Sequence, residues 1–242
     1  MARGAAFGGC LRAPLLFIEF TPMSIERLGD RDPAAGSPAP YDESGPTGIH
    51  DRVFSAARAL IASRQNVSPK RLDEPGPSPQ QLDALFSLAA TAPDHGLLLP
   101  WRFVIVPRSK RRSLSEVFAL ALLDRDPGAT TVQVEAAREK ANRAPLLILA
   151  VVRFQSDREP EIPDLERVVS LGCALQNLQL GAHAMGFGCG LTSGQAMAST
   201  HMRELFTLNT DEHAVCFLNI GTVAKRKPGR IRPSPDQFLS TL

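Results

Sequence analysis

The chain has 242 residues, 43% of them hydrophobic and 21% charged, with 27 basic against 25 acidic side chains for a formal net charge of +2. That is the make-up of an ordinary globular protein able to bury one substantial core, and the charge balance is too even to make nucleic acid or an acidic membrane the main partner. No apolar run reaches the length that crosses a bilayer. The four cysteines, at 10, 173, 189 and 216, show no Cys-x-x-Cys spacing, so they read as small buried hydrophobes in a reducing cytoplasm and not as staples or metal ligands.

Residues 1 to 48 are rich in Gly, Pro, Ala and Asp and show no sustained period. A flexible or disordered extension is expected there, with one folded domain over 49–242. The Leu15-Leu16-Phe17-Ile18 patch is broken by Glu19 and lacks a cleavage site, which makes a poor secretory signal; Met23 offers an alternative start. Val53, Ala56, Ala57, Leu60 and Ile61 then recur at helical spacing and predict an amphipathic helix up to about Ser63. The polar, basic stretch Arg64-Gln65-Asn66 to Lys70-Arg71 follows, where Pro69 forbids helix continuation. Such a cluster is either a solvated edge or an anion cradle.

Ser78-Pro79-Gln80-Gln81 reads as a capping box opening a second helix striped by Leu82, Leu85, Phe86 and Ala89. After it comes the loop Thr91 to Phe103, holding Pro93, Asp94, His95, three consecutive leucines and the only Trp. Asp94 suits a turn cap, and His95 on its own is as consistent with a structural histidine as with a ligand. The run Phe103 to Val106 predicts a strand covered on both faces. Ser109 is a candidate cap for a third helix bearing Leu114, Val117, Phe118 and Leu122, and Val134 to Arg143 predicts a polar helix. Leu146 to Val152 is the clearest strand, and Ala214 to Thr222 is another. Between them a long helix from Pro163 to about Met185 carries apolar residues on more than one face, which places it in the core or in a subunit interface. It ends in a run with Gly186, Gly188, Gly190 and Gly194, suited to tight turns and to close backbone approach to a ligand. A short helix is expected over Ser199 to Phe206.

Several chemistries are excluded by context. The spacing Gly188-x-Gly190-x-x-x-Gly194 follows a helix, whereas a dinucleotide fingerprint follows a strand and opens a helix. No lysine follows a glycine loop as a phosphate-binding loop requires, no Gly-x-Ser-x-Gly elbow is present, and His183, His201 and His213 have no zinc spacing.

What remains, in order, is the segment 64 to 66, the loop Ala92-Pro93-Asp94-His95 followed four residues later by Pro100-Trp101-Arg102-Phe103, and the segment 188 to 194. With Arg71-Leu72-Asp73-Glu74-Pro75 before the second helix, this order resembles the nitroreductase family of flavin enzymes, in particular its short, YdjA-like branch, over residues 55 to 240. The resemblance implies an α+β fold with a central, mainly antiparallel sheet flanked by helices, assembled as a domain-swapped homodimer that binds FMN at the subunit interface. It implies that Arg64, Gln65 and Asn66 contact the phosphate, ribityl chain and ring edge. By the same resemblance His95 and Leu99 reach the flavin from the partner subunit, and Leu191, Thr192 and Ser193 lie against the isoalloxazine ring; Arg230 or Arg232 is a further candidate for the phosphate. Gln65 stands where the family has a second arginine, and Leu99 where a polar residue is common; Lys70 and Arg71 are candidates to compensate. The implied activity is ping-pong hydride transfer from NADH or NADPH through FMN to a nitroaromatic, quinone-like or other oxidised small molecule. No side chain is then needed as nucleophile. The alternatives are other flavin chemistry on the same fold, such as dehalogenation or flavin cleavage, and a low-turnover flavin-binding carrier or sensor. The basic tail from Lys225 to Arg232 reads as a local phosphate clamp or a solvated segment.

Overall fold

The computed structural model describes residues 48–154, 162–226, 228–229 and 231–242. The extension expected over 1–48 therefore lies outside the described residues except for Gly48, as do Cys10, Met23 and Arg230. Six helices run in chain order: α1 (Ile49–Ser63), α2 (Pro79–Ala89), α3 (Arg111–Arg125), α4 (Thr131–Arg138), α5 (Asp164–Ala184) and α6 (Thr200–Leu205). Five strands, β1 (Leu72–Asp73), β2 (Trp101–Ile105), β3 (Leu146–Arg153), β4 (Gly188–Thr192) and β5 (Glu212–Val223), form one antiparallel sheet in the order β1-β5-β3-β2, with β4 also paired to β5. Helices on both faces of an antiparallel sheet make this the α+β architecture expected.

The sheet is centred on β3 and β5 because these are the two strands apolar enough to be covered on both sides. Alternation along β3 sends Ile148, Ala150 and Val152 into a core with α2 and α5. Leu147, Leu149 and Val151 go into a second core with α3 and α6. Each such buried aliphatic side chain contributes roughly 1.5–3 kcal/mol. On the first face α2 and α5 approach closely at Gly181, where a methyl group would come within 2.6 Å of Leu88. The Ser78 capping box forms as the sequence indicates, with the Ser78 hydroxyl accepting from the Gln81 N–H and the Gln81 side chain accepting from the Ser78 N–H. On the second face Arg111 is buried without an acidic partner and donates to the carbonyls of Val106, Ala141 and Pro145. Three main-chain acceptors hold a desolvated cation and tie α3 to both neighbouring connections.

β2 packs on both faces, with Trp101 and Phe103 against the first core and Val104 against the second, although it ends the sheet order and Ile105 is 42% exposed. Three expectations change. Ser109 does not cap α3, which begins after a tight turn at Arg108–Lys110 with no side-chain cap. The polar helix is shorter, with α4 passing into a 3-10 turn at Glu139–Asn142. The glycine-rich run is a strand, β4, whose small residues serve the protein itself. A methyl at Gly190 would overlap the Val67 carbonyl, and one at Gly188 would lie 2.9 Å from Leu72.

Candidate functional site

Glycine opens the site. Gly186, at φ 87°, terminates α5 in the left-handed conformation, with the Phe187 N–H donating to the Ala182 carbonyl over 2.9 Å, the signature of a Schellman turn. The chain reverses directly into β4. Because β4 has hydrogen at Gly188 and Gly190, the segment that leaves α1 can lie against it: the Val67 N–H donates to the Cys189 carbonyl (2.8 Å), and the Leu191 N–H donates to Asn66 Oδ1 (3.1 Å). Asn66 is thereby brought beside Cys189 and Leu191, with Gln65 and Arg64 preceding it toward the end of α1. The far side of β4 is pinned by Asn219, buried on β5, whose amide donates to the Gly190 carbonyl (3.1 Å) and to Thr192 Oγ1 (3.0 Å). Ser193 Oγ donates to the Val215 carbonyl.

Beneath this corner is a recess of about 150 Å³, lined by Gln65, Asn66 and Ser68 together with the cations Arg71, Lys225 and Arg226, and by no carboxylate among the described residues. Ser63 Oγ lies 2.8 Å from His183 Nε2 at its edge, and Arg232 Nη2 donates to the Arg64 carbonyl over 2.9 Å. Of the two candidate compensating cations, Lys70 is exposed and Arg71 lines the recess. Burial pushes the Cys189 thiol up to about 11, with the Arg64 guanidinium pulling the other way, which leaves this cysteine protonated and unreactive at neutral pH. His183 and Asn219 had no role in the sequence reading, and Lys225 and Arg226 entered it only as part of the basic tail. The basic character of 225 to 232 was the only local signal for any of them.

His95 and Leu99 are elsewhere. Their loop stands at the opposite end of α5, where His95 Nδ1 lies 2.7 Å from Glu166 Oε2 in the first turn of that helix. Ser63 touches His183 in its last turn. Glu166 and His183 are 17 residues apart on one helix, so the two groups are separated by about 25 Å. The loop is unusual in its own right. Gly96, Leu97 and Leu99 all have positive φ (70°, 54° and 46°), and bulky residues there are strained by about 1–3 kcal/mol each. Asp94 closes the turn by accepting from the Leu99 N–H at 2.7 Å, and Arg153 donates to the Leu98 carbonyl. Trp101 anchors the exit through a hydrogen bond to Ser170 Oγ on α5. The result is a braced loop that holds Leu97 89% exposed and Leu99 61% exposed.

Among the described residues no group of His, Cys, Asp or Glu is placed to hold a metal ion, and no helix is long and apolar enough to cross a membrane.

Comparison with known proteins places this fold in one class. Residues 61–222 match the model of the nitroreductase family, and the chain belongs to that family. It is 31% identical over 185 residues to the Escherichia coli K12 protein named "Putative NAD(P)H nitroreductase YdjA", covering 76% of this chain and 98% of the relative. It is 32% identical over 166 residues to a "Putative NAD(P)H nitroreductase" of Haemophilus influenzae, covering 69% and 88%. Among solved structures the fold is similar to a nitroreductase-like family protein from Bacillus cereus, at TM-score 0.66 and 20% identity over 77% of this chain and 95% of the other. It is also similar to a mutant of the FMN and NADPH-dependent nitroreductase NfnB from a "sphigopyxis" strain, at TM-score 0.60 and 17% identity over 76% and 98%.

Proposed function

We propose that the chain is an FMN-dependent NAD(P)H oxidoreductase of the nitroreductase type, working as a homodimer with FMN held between subunits. The observation that carries this reading is the partition of the candidate residues along α5. The segment 64–66 lies at the C-terminal end of α5 and the braced leucine loop with His95 at its N-terminal end, while β4 runs back from the first toward the second, with Ser193 bonded to the Val215 carbonyl. A site that uses both sets takes one from each of two chains. The surface for such a meeting is available: Val53 and Phe54 on α1 and Leu165 and Val169 on α5 are 58–74% exposed, far more apolar surface than a helix turned only to water would carry.

The residues present fit FMN. Its phosphate carries close to two negative charges, which the Arg64 guanidinium can take in a charge-assisted, bidentate contact. Arg232 is bonded to the Arg64 backbone, and among the described residues no carboxylate lines the adjoining recess to oppose an anion. Bound there, FMN would supply hydride exchange between NADH or NADPH and an oxidised nitroaromatic or quinone-like acceptor, in ping-pong order. The chain's own work is to bind and to shield. Asn66 and the β4 backbone fix the ring edge, the partner's exposed Leu97 and Leu99 exclude water, and His95, with Nδ1 held by Glu166, presents Nε2 to the ligand. The buried thiols of Cys189 and Cys216, both raised to about 11, take no part.

The test is the absorption spectrum of the purified protein, followed by anaerobic addition of NADH and of NADPH. A flavin spectrum that bleaches supports the reading. A flavin that stays oxidised at millimolar nicotinamide favours a carrier or sensor.

A further inference from the structure

On the second face of the sheet lies a larger cavity, about 600 Å³, between the end of α3, the α4 region and the segment after β4. That volume lies in the range of small-molecule sites. Its floor is aromatic: Phe118 and Phe217 meet edge to face with ring centroids 5.8 Å apart. Its rim carries Arg125, Lys140 and Arg143, and no acidic side chain among the described residues lines it. The contrast with the neighbouring basic side chain is informative, because Arg138 on α4 is neutralised by Glu116 and Glu135. The three rim cations form no ion pair with any described residue; Arg143 makes only a long bond to the Ala136 carbonyl, 3.4 Å. Three unneutralised cations around an apolar floor select an amphipathic anion. The cavity reaches Thr192 and Ser193, two of the residues assigned above to the flavin ring.

We propose that this cavity binds the oxidised acceptor, and that the acceptor is a planar aromatic bearing a carboxylate, its ring on the Phe118–Phe217 floor and its anionic end at the Arg125–Lys140–Arg143 rim. The identification of the ligand as an acceptor rests on the flavin reading; the preference for an aromatic anion rests on the cavity alone.

The probes are 4-nitrobenzoate and its uncharged analogue 4-nitrobenzamide, titrated calorimetrically into the full-length protein as purified, with flavin content measured on the same samples. The wild type is expected to favour the carboxylate by about tenfold or more, the worth of one or two partly exposed charge contacts. The triple variant R125Q/K140Q/R143Q is expected to bring that ratio close to one, and Lys140→Glu alone to lower it several-fold. Equal affinities in the wild type, or a ratio unmoved in both variants, overturns the proposal. Loss of flavin from the triple variant would give the cavity to FMN, and weakening confined to NADPH would give it to the 2′-phosphate of the donor; either result overturns it as well. A colourless protein that keeps the preference would sink the flavin reading and leave the anion site standing.

Discussion

Replacing Gly190 by alanine tests the corner that positions Arg64, Gln65 and Asn66. The added methyl would overlap the Val67 carbonyl oxygen, and it would lie 3.1 Å from Asn66 Oδ1 and 3.2 Å from the Val67 carbonyl carbon. These are backbone and short side-chain atoms with no rotamer to escape into. β4 cannot retreat, because it is paired along its length with β5 and tied to Asn219. The corner must therefore move and give up the Val67-to-Cys189 and Leu191-to-Asn66 hydrogen bonds. Each is worth about 1 kcal/mol, and overpacking adds roughly 1–3 kcal/mol; the gain from replacing glycine in a strand returns about 0.5–1 kcal/mol. The net expectation is a loss of about 2–4 kcal/mol. A urea unfolding midpoint measures it, and an FMN fluorescence titration reports the corner itself, with affinity expected to fall at least tenfold. Gly128→Ala, where only Asp126 Oδ1 lies within 4 Å, serves as the control and should change stability by less than about 0.5 kcal/mol. A Gly190→Ala protein with the wild-type midpoint and wild-type FMN affinity would refute the reasoning.

Other perturbations read separate parts of the account. Arg64→Ala should weaken FMN by about ten- to a hundredfold, the loss of a hydrogen bond to a charged group, measured by the same titration; unchanged flavin content would remove Arg64 from the phosphate. Phe54→Asp, at a position 67% exposed in the single chain, should leave secondary structure intact by circular dichroism but shift the protein to monomer on size exclusion, and a persistent dimer would move the interface off α1. The hydrogen bonds from Arg102 hold the largely buried Glu212 carboxyl below its ordinary value near 4.5. Its stabilisation is therefore complete above about pH 4.5 and lost as pH falls through the lower folded-state value. Glu212→Gln should cost about 2 kcal/mol at neutral pH and flatten the stability curve below pH 4.5, as followed by urea melts across pH; a curve parallel to wild type would show that Glu212 does not titrate in that window.

Elements were legible where their stabilisation is local. The 3.6-residue period gave α1, α2 and α5 to within a residue or two. The apolar runs gave β3 and β5, and the Ser78 box was visible because all its parts lie within four residues. β4 was not visible in the local pattern, since four glycines in nine residues have no strand propensity of their own, and only the resemblance to the family made Leu191–Ser193 part of a strand. What makes Gly188–Thr192 a strand is its ladder to Gly221–Phe217 and the 66–67 backbone lying against it, neither of which a local pattern encodes. The apolar run of β2 correctly indicated packing on both faces, with Phe103 against Phe86 of α2, but an edge strand has the same run as a central one, so its place at the end of the sheet order was not legible. Of the candidate residues, Asn66 and Leu191 do meet. The separation of His95 and Leu99 from them is set by the length of α5 and by the pairs His95–Glu166 and Ser63–His183, 71 and 120 residues apart in the chain. Contacts at such range leave no trace in spacing; only the resemblance to the family placed both sets in one site.

The most direct measurement is native mass spectrometry of the purified protein after incubation with FMN. Two chains carrying two FMN molecules is the result expected if each flavin is enclosed by the Arg64 corner of one chain and the His95 loop of the other. A single chain that binds FMN with full affinity, or a colourless species that takes up none, would contradict it.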